Sequence, residues 1–238
     1  MEDIVTMLET HKPQLFGISE ANIHPNAHTP SMNIPGYSLE TDRLPLDKFR
    51  GQVAIYVTKD IKYKRRLDLE PPLMPMIWLE VEVQKEKNIL INIGYREWTQ
   101  QTSVKTKARG KKKRNNEERS DSLDSKKVGK TMMKQKERLN TMIASWEKAS
   151  LEEKPLFIMG DWNINTLPWS NINYEPTQYD KDMKTLLEIL QQAASTNNLE
   201  LSTKLPSRKQ GQDNQSSLDI ILSNIPQRIQ NIIYRDDP

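Results

Sequence analysis

The sequence predicts an α/β domain, and three features carry that prediction. Short apolar runs bounded by Gly, Pro or polar clusters read as buried strands. Segments with helical spacing of apolar residues lie among them, near 4–8, 132–146 and 183–199. Several strands run into polar loops carrying carboxylates, and open α/β sheets gather a site at one end in this way. At 238 residues the chain fits one large α/β domain or two small ones, with enough length for a sizeable core, and no internal repeat is visible.

The elements follow in order. Ile4, Val5 and Leu8 have helical spacing, and His11-Lys12-Pro13 stops them. Leu15-Phe16-Gly17-Ile18-Ser19 reads as a buried strand ending in Glu20. From Ala21 to Lys48 the density of Pro, Asn and His suggests a loop or lid with little regular structure. Arg50 to Val57 is the next strand. Ile77 to Val83, with clear alternation, and Ile89 to Tyr95 read as a hairpin across 84–88. Residues from about 99 to 131 have almost no apolar side chain and read as a basic, flexible insertion. Helical spacing resumes from Met132 to Trp146. Leu156-Phe157-Ile158-Met159, entered through Pro155 and ended by Gly160, is a further buried strand. Met183 to Leu199 gives a helix with Leu186, Leu187, Ile189 and Leu190 on its core face. Ser217 to Ser223 and Ile229 to Tyr234 are the last two expected strands.

Composition narrows the class. Only 35% of residues are hydrophobic and the mean hydropathy is −0.77, low enough to imply exposed stretches outside the core. No run reaches the length of a membrane span, and Met1-Glu2-Asp3-Ile4-Val5 lacks the basic start of a signal peptide. The absence of cysteine excludes disulfides and thiolate zinc sites, and is compatible with an intracellular location. The net charge of +3 is uneven. Between Lys105 and Arg138 lie 14 Lys/Arg and 5 Asp/Glu; from totals of 35 and 32, the remainder of the chain keeps 21 basic and 27 acidic residues. The basic character therefore belongs to one segment, where Lys111-Lys112-Lys113-Arg114 suits DNA phosphates or a nuclear localisation patch. A solvated loop fits the same run. It has no interleaved aromatics, so base stacking is not expected.

The chemistry concentrates at strand ends. Gly160-Asp161-Trp162-Asn163 is either a strand-ending turn or a carboxylate and a carboxamide placed to handle water and the group it attacks. If the chain stays extended past Gly160, Asp161 and Asn163 leave on one face. Glu20 and Asp219 occupy similar junctions, although the period around Asp219 also fits a solvent-facing position. Hard oxygen ligands with few histidines favour Mg²⁺ or Mn²⁺ over zinc. Tyr95-Arg96 offers a phenol and a guanidinium to a phosphate. His24 and His28 have i,i+4 spacing, but Pro25 argues against a helical metal pair, and His11 sits apart from both.

The motifs in order are Leu-Phe-Gly-Ile-Ser-Glu, Arg-Gly-Gln-Val-Ala-Ile-Tyr-Val, Ile-Asn-Ile-Gly-Tyr-Arg, Gly-Asp-Trp-Asn and Ser-Leu-Asp-Ile-Ile-Leu-Ser. This series resembles the endonuclease/exonuclease/phosphatase superfamily, and within it the apurinic-type endonuclease domain of non-LTR (LINE-like) retrotransposon polyproteins. The resemblance spans nearly the whole chain except the basic insertion. It implies a four-layer α/β sandwich, two mainly antiparallel sheets flanked by helices, as a single domain over 1–238. It implies a metal-binding role for Glu20, a water-activating role for Asp161, phosphate orientation by Asn163, a phosphate contact from Tyr95, and support of a catalytic His by Asp219. The family pattern also has an earlier strand carrying an Asn and a closing Ser-Asp-His, and neither occurs in this sequence. The expectation is therefore a domain without its first and last strands, and an activity in question. Implied with it are Mg²⁺-dependent nicking of DNA, a reverse transcriptase domain in the same polyprotein, and a nuclear location. An inositol or lipid phosphatase of the same superfamily, or a non-catalytic nucleic-acid-binding relic, stands as the alternative.

Overall fold

The computed structural model describes residues 2–23, 32–42, 51–83, 88–97, 118–170, 175, 178–210 and 214–233. The first sheet has three strands: β1 (Leu15–Ile23), β2 (Tyr37–Thr41) and β3 (Gly51–Thr58), in the antiparallel order β1-β3-β2. The second sheet has six. These are β4 (Tyr63–Arg65), β5 (Met76–Glu82), β6 (Asn88–Tyr95), β7 (Leu156–Asp161), β8 (Glu200–Leu201) and β11 (Asp219–Ser223), in the order β4-β5-β6-β7-β11-β8. All its pairings are antiparallel except β6 with β7. A small hairpin, β9 (Arg208–Gln210) with β10 (Asn214–Ser216), stands apart from both sheets.

Alternation along the strands builds the layers. Ile77, Leu79 and Val81 on β5 and Ile91, Ile93 and Tyr95 on β6 face Val53, Ile55 and Val57 on β3, forming the core between the sheets. Gly17 admits this packing, because a Cβ there would stand 1.9 Å from Cδ1 of Ile93. The opposite faces of β5, β6, β7 and β11, carrying Trp78, Leu90, Leu156, Ile158, Ile220 and Leu222, pack on two helices. These are α2 (Glu118–Ser150) and α4 (Gln178–Thr196). Their buried residues recur at helical spacing, as Leu139, Met142, Ile143, Trp146 and Ala149, and as Met183, Leu186, Leu190 and Ala194. Outside the first sheet, α1 (Glu2–His11) presses Leu8 against Tyr56, with Phe16 and Ile18 beside them. It ends where Lys12 turns left-handed and donates its N–H to the Leu8 carbonyl. Helix, sheet, sheet and helix make four layers, as the resemblance implies. At the far edge, Arg65 on β4 reaches Glu40 on β2 at 2.9 Å and ties the sheets together.

Several expectations need correction. The strand expected to end in Glu20 runs on to Ile23, and the stretch expected to be a loop or lid from Ala21 also contains β2. The segment expected to be flexible to about 131 is already helical from Glu118, because a polar helix offers no apolar period to read. Residues 229–233 form no strand; a 3-10 turn at Pro226–Arg228 precedes them, and among the described residues no strand pairs with them. No described helix is long and apolar enough to cross a membrane.

Candidate active site

The parallel pairing of β6 with β7 places Tyr95 beside Asp161, and the antiparallel pairing of β7 with β11 places Asp219 on its other side. All three share the face that looks toward the first sheet. There Glu20, at the register break of β1 between Ser19 and Ile23, accepts a hydrogen bond from the Tyr95 hydroxyl at 2.6 Å. The first sheet also supplies Ser19, whose Oγ accepts the Asp161 N–H at 3.2 Å. Residues far apart in sequence thus meet at one end of the inter-sheet layer. Glu20 sits at φ 56, a left-handed value uncommon for a non-glycine residue.

The β7 exit is built on glycine. At Gly160 φ is +136, and a Cβ would stand 1.9 Å from the Gly94 carbonyl oxygen on β6. Beyond it, Trp162 is fully buried, with its ring edge-on to Trp146 at 4.7 Å between centroids. Asn163 is left-handed at φ 48, so the extended run does not continue. Its N–H donates to Asp161 Oδ1 at 2.8 Å, and its Nδ2 donates to the Arg96 carbonyl at 2.9 Å. The expected shared face of Asp161 and Asn163 is replaced by an Asx-type turn with the carboxamide directed at Arg96, just past β6.

Arg96 also departs from expectation. It is 1% exposed, and its guanidinium donates to the carbonyls of Trp162 and Asn163, each at 2.6 Å, and to Oε1 of Gln135 on α2. A side chain so enclosed does not present itself to a nucleic-acid phosphate at the surface. Asp219 is exposed, as its period allowed. Lys111, Lys112, Lys113 and Arg114 lie outside the described residues, as do His24 and His28; His11 is exposed in the last turn of α1.

Sequence reasoning missed the bracing of this loop. Asn165 accepts the N–H groups of Leu167 and Ser217 at 3.2 and 2.9 Å and donates to Asp180 on α4 at 2.8 Å. Thr166 donates its N–H to the Ser217 carbonyl at 3.0 Å. Asn and Thr after a strand are ordinary turn residues, and nothing local announced the partners. A short helix, α3 (Leu167–Ser170), follows. A cavity of about 500 Å³ beside it is lined by Trp169, Gln191, Glu200 and Lys204, away from the carboxylates.

Burial raises the Asp161 carboxyl from 3.8 to about 6, opposed by the Asn163 N–H and reinforced by the charges of Asp219 and Glu20, with Arg96 again lowering it. The Tyr95 hydroxyl is pushed far above its ordinary 10.0, first by burial and then by Glu20. It stays a neutral donor at any working pH. Among the described residues no group of three or more Asp, Glu, His or Cys stands close enough to hold a metal ion unaided. The donors that do converge are hard oxygens, which suit Mg²⁺ or Mn²⁺ better than zinc.

Fold and site together define a class: a two-sheet α/β sandwich with carboxylates and a buried phenol at one end of its inter-sheet layer. Solved structures narrow it. The chain is similar to the endonuclease domain of TRAS1, a telomere-specific non-LTR retrotransposon, at 12% identity over 92% of this chain and 76% of that one, with a TM-score of 0.54. It is similar to the AP endonuclease LMAP from Leishmania major, at 10% identity over 94% and 73%, TM-score 0.61. It is also similar to the catalytic domain of Xenopus laevis APE2, at 11% identity over 93% and 77%, TM-score 0.56. No family model matches the chain. No curated protein matches it. At these identities the likeness shows the fold alone, which this chain shares with those three structures.

Proposed function

We propose that the chain is a nuclease domain that hydrolyses DNA phosphodiester bonds with a divalent cation, in the manner of a retrotransposon nicking endonuclease. One observation carries the reading: Asp161 is flanked in register by Tyr95 and Asp219, while Glu20 from the opposing sheet is bonded to the Tyr95 hydroxyl. The likeness to the endonuclease domain of TRAS1 and to two AP endonuclease-fold structures supports DNA as the substrate.

The residues divide the work by their chemistry. Asp161, half-buried and raised to about 6, is basic enough near neutral pH to hold a water and take its proton. Its Oδ1 is fixed by the Asn163 N–H, which sets the direction of the carboxylate. The Tyr95 hydroxyl gives its single proton to Glu20, and would donate it to a phosphate oxygen in place of that bond when Glu20 turns to the cation. Asp219 adds negative charge beside Asp161 and keeps its basicity up. Glu20, with Asp161 near it, would hold Mg²⁺ or Mn²⁺, and the ion when bound supplies charge neutralisation at the phosphate. A nick with a free 3′ hydroxyl is the product a reverse transcriptase domain of the same polyprotein would extend, and a nuclear location follows from that use.

The test is conversion of supercoiled plasmid to the nicked form in Mg²⁺, set against phosphate release from inositol phosphates. Nicking by the wild type and its loss in Asp161→Ala, with DNA binding retained, is the expected result. Full nicking by Asp161→Ala, or phosphate release without nicking, overturns the assignment.

A further inference from the structure

Arg96 follows the phenol of the site directly in sequence, yet its side chain turns away from solvent and into the protein. Three consecutive carbonyls converge on this one residue. The backbone N–H of Arg96 donates to the Asp161 carbonyl at 2.9 Å, Nε to that of Trp162 at 2.6 Å, and Nη2 to that of Asn163 at 2.6 Å. The bond is returned, because Asn163 Nδ2 donates to the Arg96 carbonyl. Gathering the carbonyls of 161–163 on one side leaves the Asn163 N–H directed at Asp161 Oδ1. The remaining arm of the guanidinium is held by Oε1 of Gln135, a buried residue of α2. Only a planar fork with donors at fixed angles serves these acceptors together; a lysine ammonium is a single point with a different reach.

We infer that Arg96 is a positioning residue that clamps the Asp161–Asn163 turn, with Gln135 anchoring the clamp to helix α2. The role rests on the proposed nuclease reading for its effect on catalysis, but the clamp itself is a matter of geometry. A buried arginine bonded to main-chain carbonyls fixes where a carboxylate points without touching substrate. Displacement of a reacting group by about 1 Å costs on the order of 100-fold in rate. The clamp also connects the site to α2, the helix that leads out of the basic segment of the sequence.

Arg96→Lys tests this with two independent readouts. Hydrogen exchange at the Asn163 amide, compared with the wild type, reports the clamp whether or not the protein is a nuclease. Plasmid nicking, resolved into kcat and KM, reports its consequence. The expected result is at least about ten-fold faster exchange at Asn163 and a kcat lower by about 10–100-fold, with KM and the salt dependence of DNA binding unchanged. Unchanged exchange overturns the inference. So does a raised KM with a shallower salt slope, which would make Arg96 a phosphate contact instead. If Arg96→Lys does not fold, Gln135→Ala carries the test, with a smaller loss in kcat and faster exchange at Asn163; no change in either overturns the clamp. If the wild type itself fails to nick DNA, the nuclease reading falls while the exchange result still decides the clamp.

Discussion

Replacing Asp161 by Asn should make the protein more stable at neutral pH while abolishing its chemistry. The folded carboxyl titrates at about 6 against an ordinary 3.8, chiefly because burial penalises its charged form. Between those values the folded state holds a proton that the unfolded chain has released. Stability therefore falls as pH rises from about 4 to 6 and is level above that, since the unfolded state then binds fewer protons. The gap corresponds to about 3 kcal/mol at neutral pH. Asn keeps an oxygen for the Asn163 N–H that Asp161 Oδ1 now accepts and carries no charge, so it escapes the penalty. For a chain of this size, about 2–4 °C per kcal/mol translates this into a melting temperature higher by about 6–12 °C at pH 7.5. Differential scanning calorimetry of both proteins in a chelator, from pH 3.5 to 8, measures it directly. The two curves should converge near pH 3.5 and separate through pH 6, while Asp161→Asn loses nicking by about 100-fold or more. Equal stability at every pH, or a less stable Asn variant at pH 7.5, would refute the claim that this carboxylate is held charged against its surroundings.

Three further outcomes follow from the geometry. Gly160→Ala places a Cβ against the main chain of Gly94 at a φ of +136, and none of the three nearest atoms belongs to a side chain that can swing away. It should cost about 2–4 kcal/mol in chemical denaturation, and a loss under 0.5 kcal/mol would contradict the close approach of β6 and β7. Tyr95→Phe removes the donor to Glu20 and should lower nicking by about 10–100-fold with little change in fold; unaltered nicking would remove the phenol from the reaction. Charge removal at Lys111, Lys112, Lys113 and Arg114 should flatten the dependence of log binding constant on log salt by about 0.9 for each residue that contacts a phosphate, and an unchanged slope would assign the run to solvent.

What the sequence revealed was governed by range. The β5–β6 hairpin, β7 and the core face of α4 were legible because their apolar periods are local. Glu20, Tyr95, Asp161 and Asp219 were placed at strand ends by the same reading; the sheet pairings bring the last three together, and the Tyr95 hydroxyl bonds Glu20 from the opposing sheet. The strands β4, β8, β9 and β10 have two or three residues each, too few to show a period, and exist only through their neighbours, while β2 was hidden in a stretch whose Pro, Asn and His read as loop. The early start of α2 was hidden because a helix of Ser, Asp, Lys and Glu has no apolar stripe. Residues 229–233 look extended in sequence, but a strand needs a ladder partner, and the described residues provide none there. The surroundings of Asn163 and Arg96 were hidden for a related reason. Their residue types named the chemistry they can do, but not the left-handed turn that makes each of them serve the main chain of the other.

The burial of Trp162 has a practical consequence. It is inserted in the chain between Asp161 and Asn163 and stands edge-on to Trp146 of α2 at 4.7 Å. Two indoles at this separation couple optically, and their near-ultraviolet circular dichroism depends steeply on mutual angle. A movement of the β7 loop on binding nucleic acid or cation would be written into that spectrum without any attached label. Trp146→Phe supplies the reference that isolates it. The domain carries its own optical gauge of the loop.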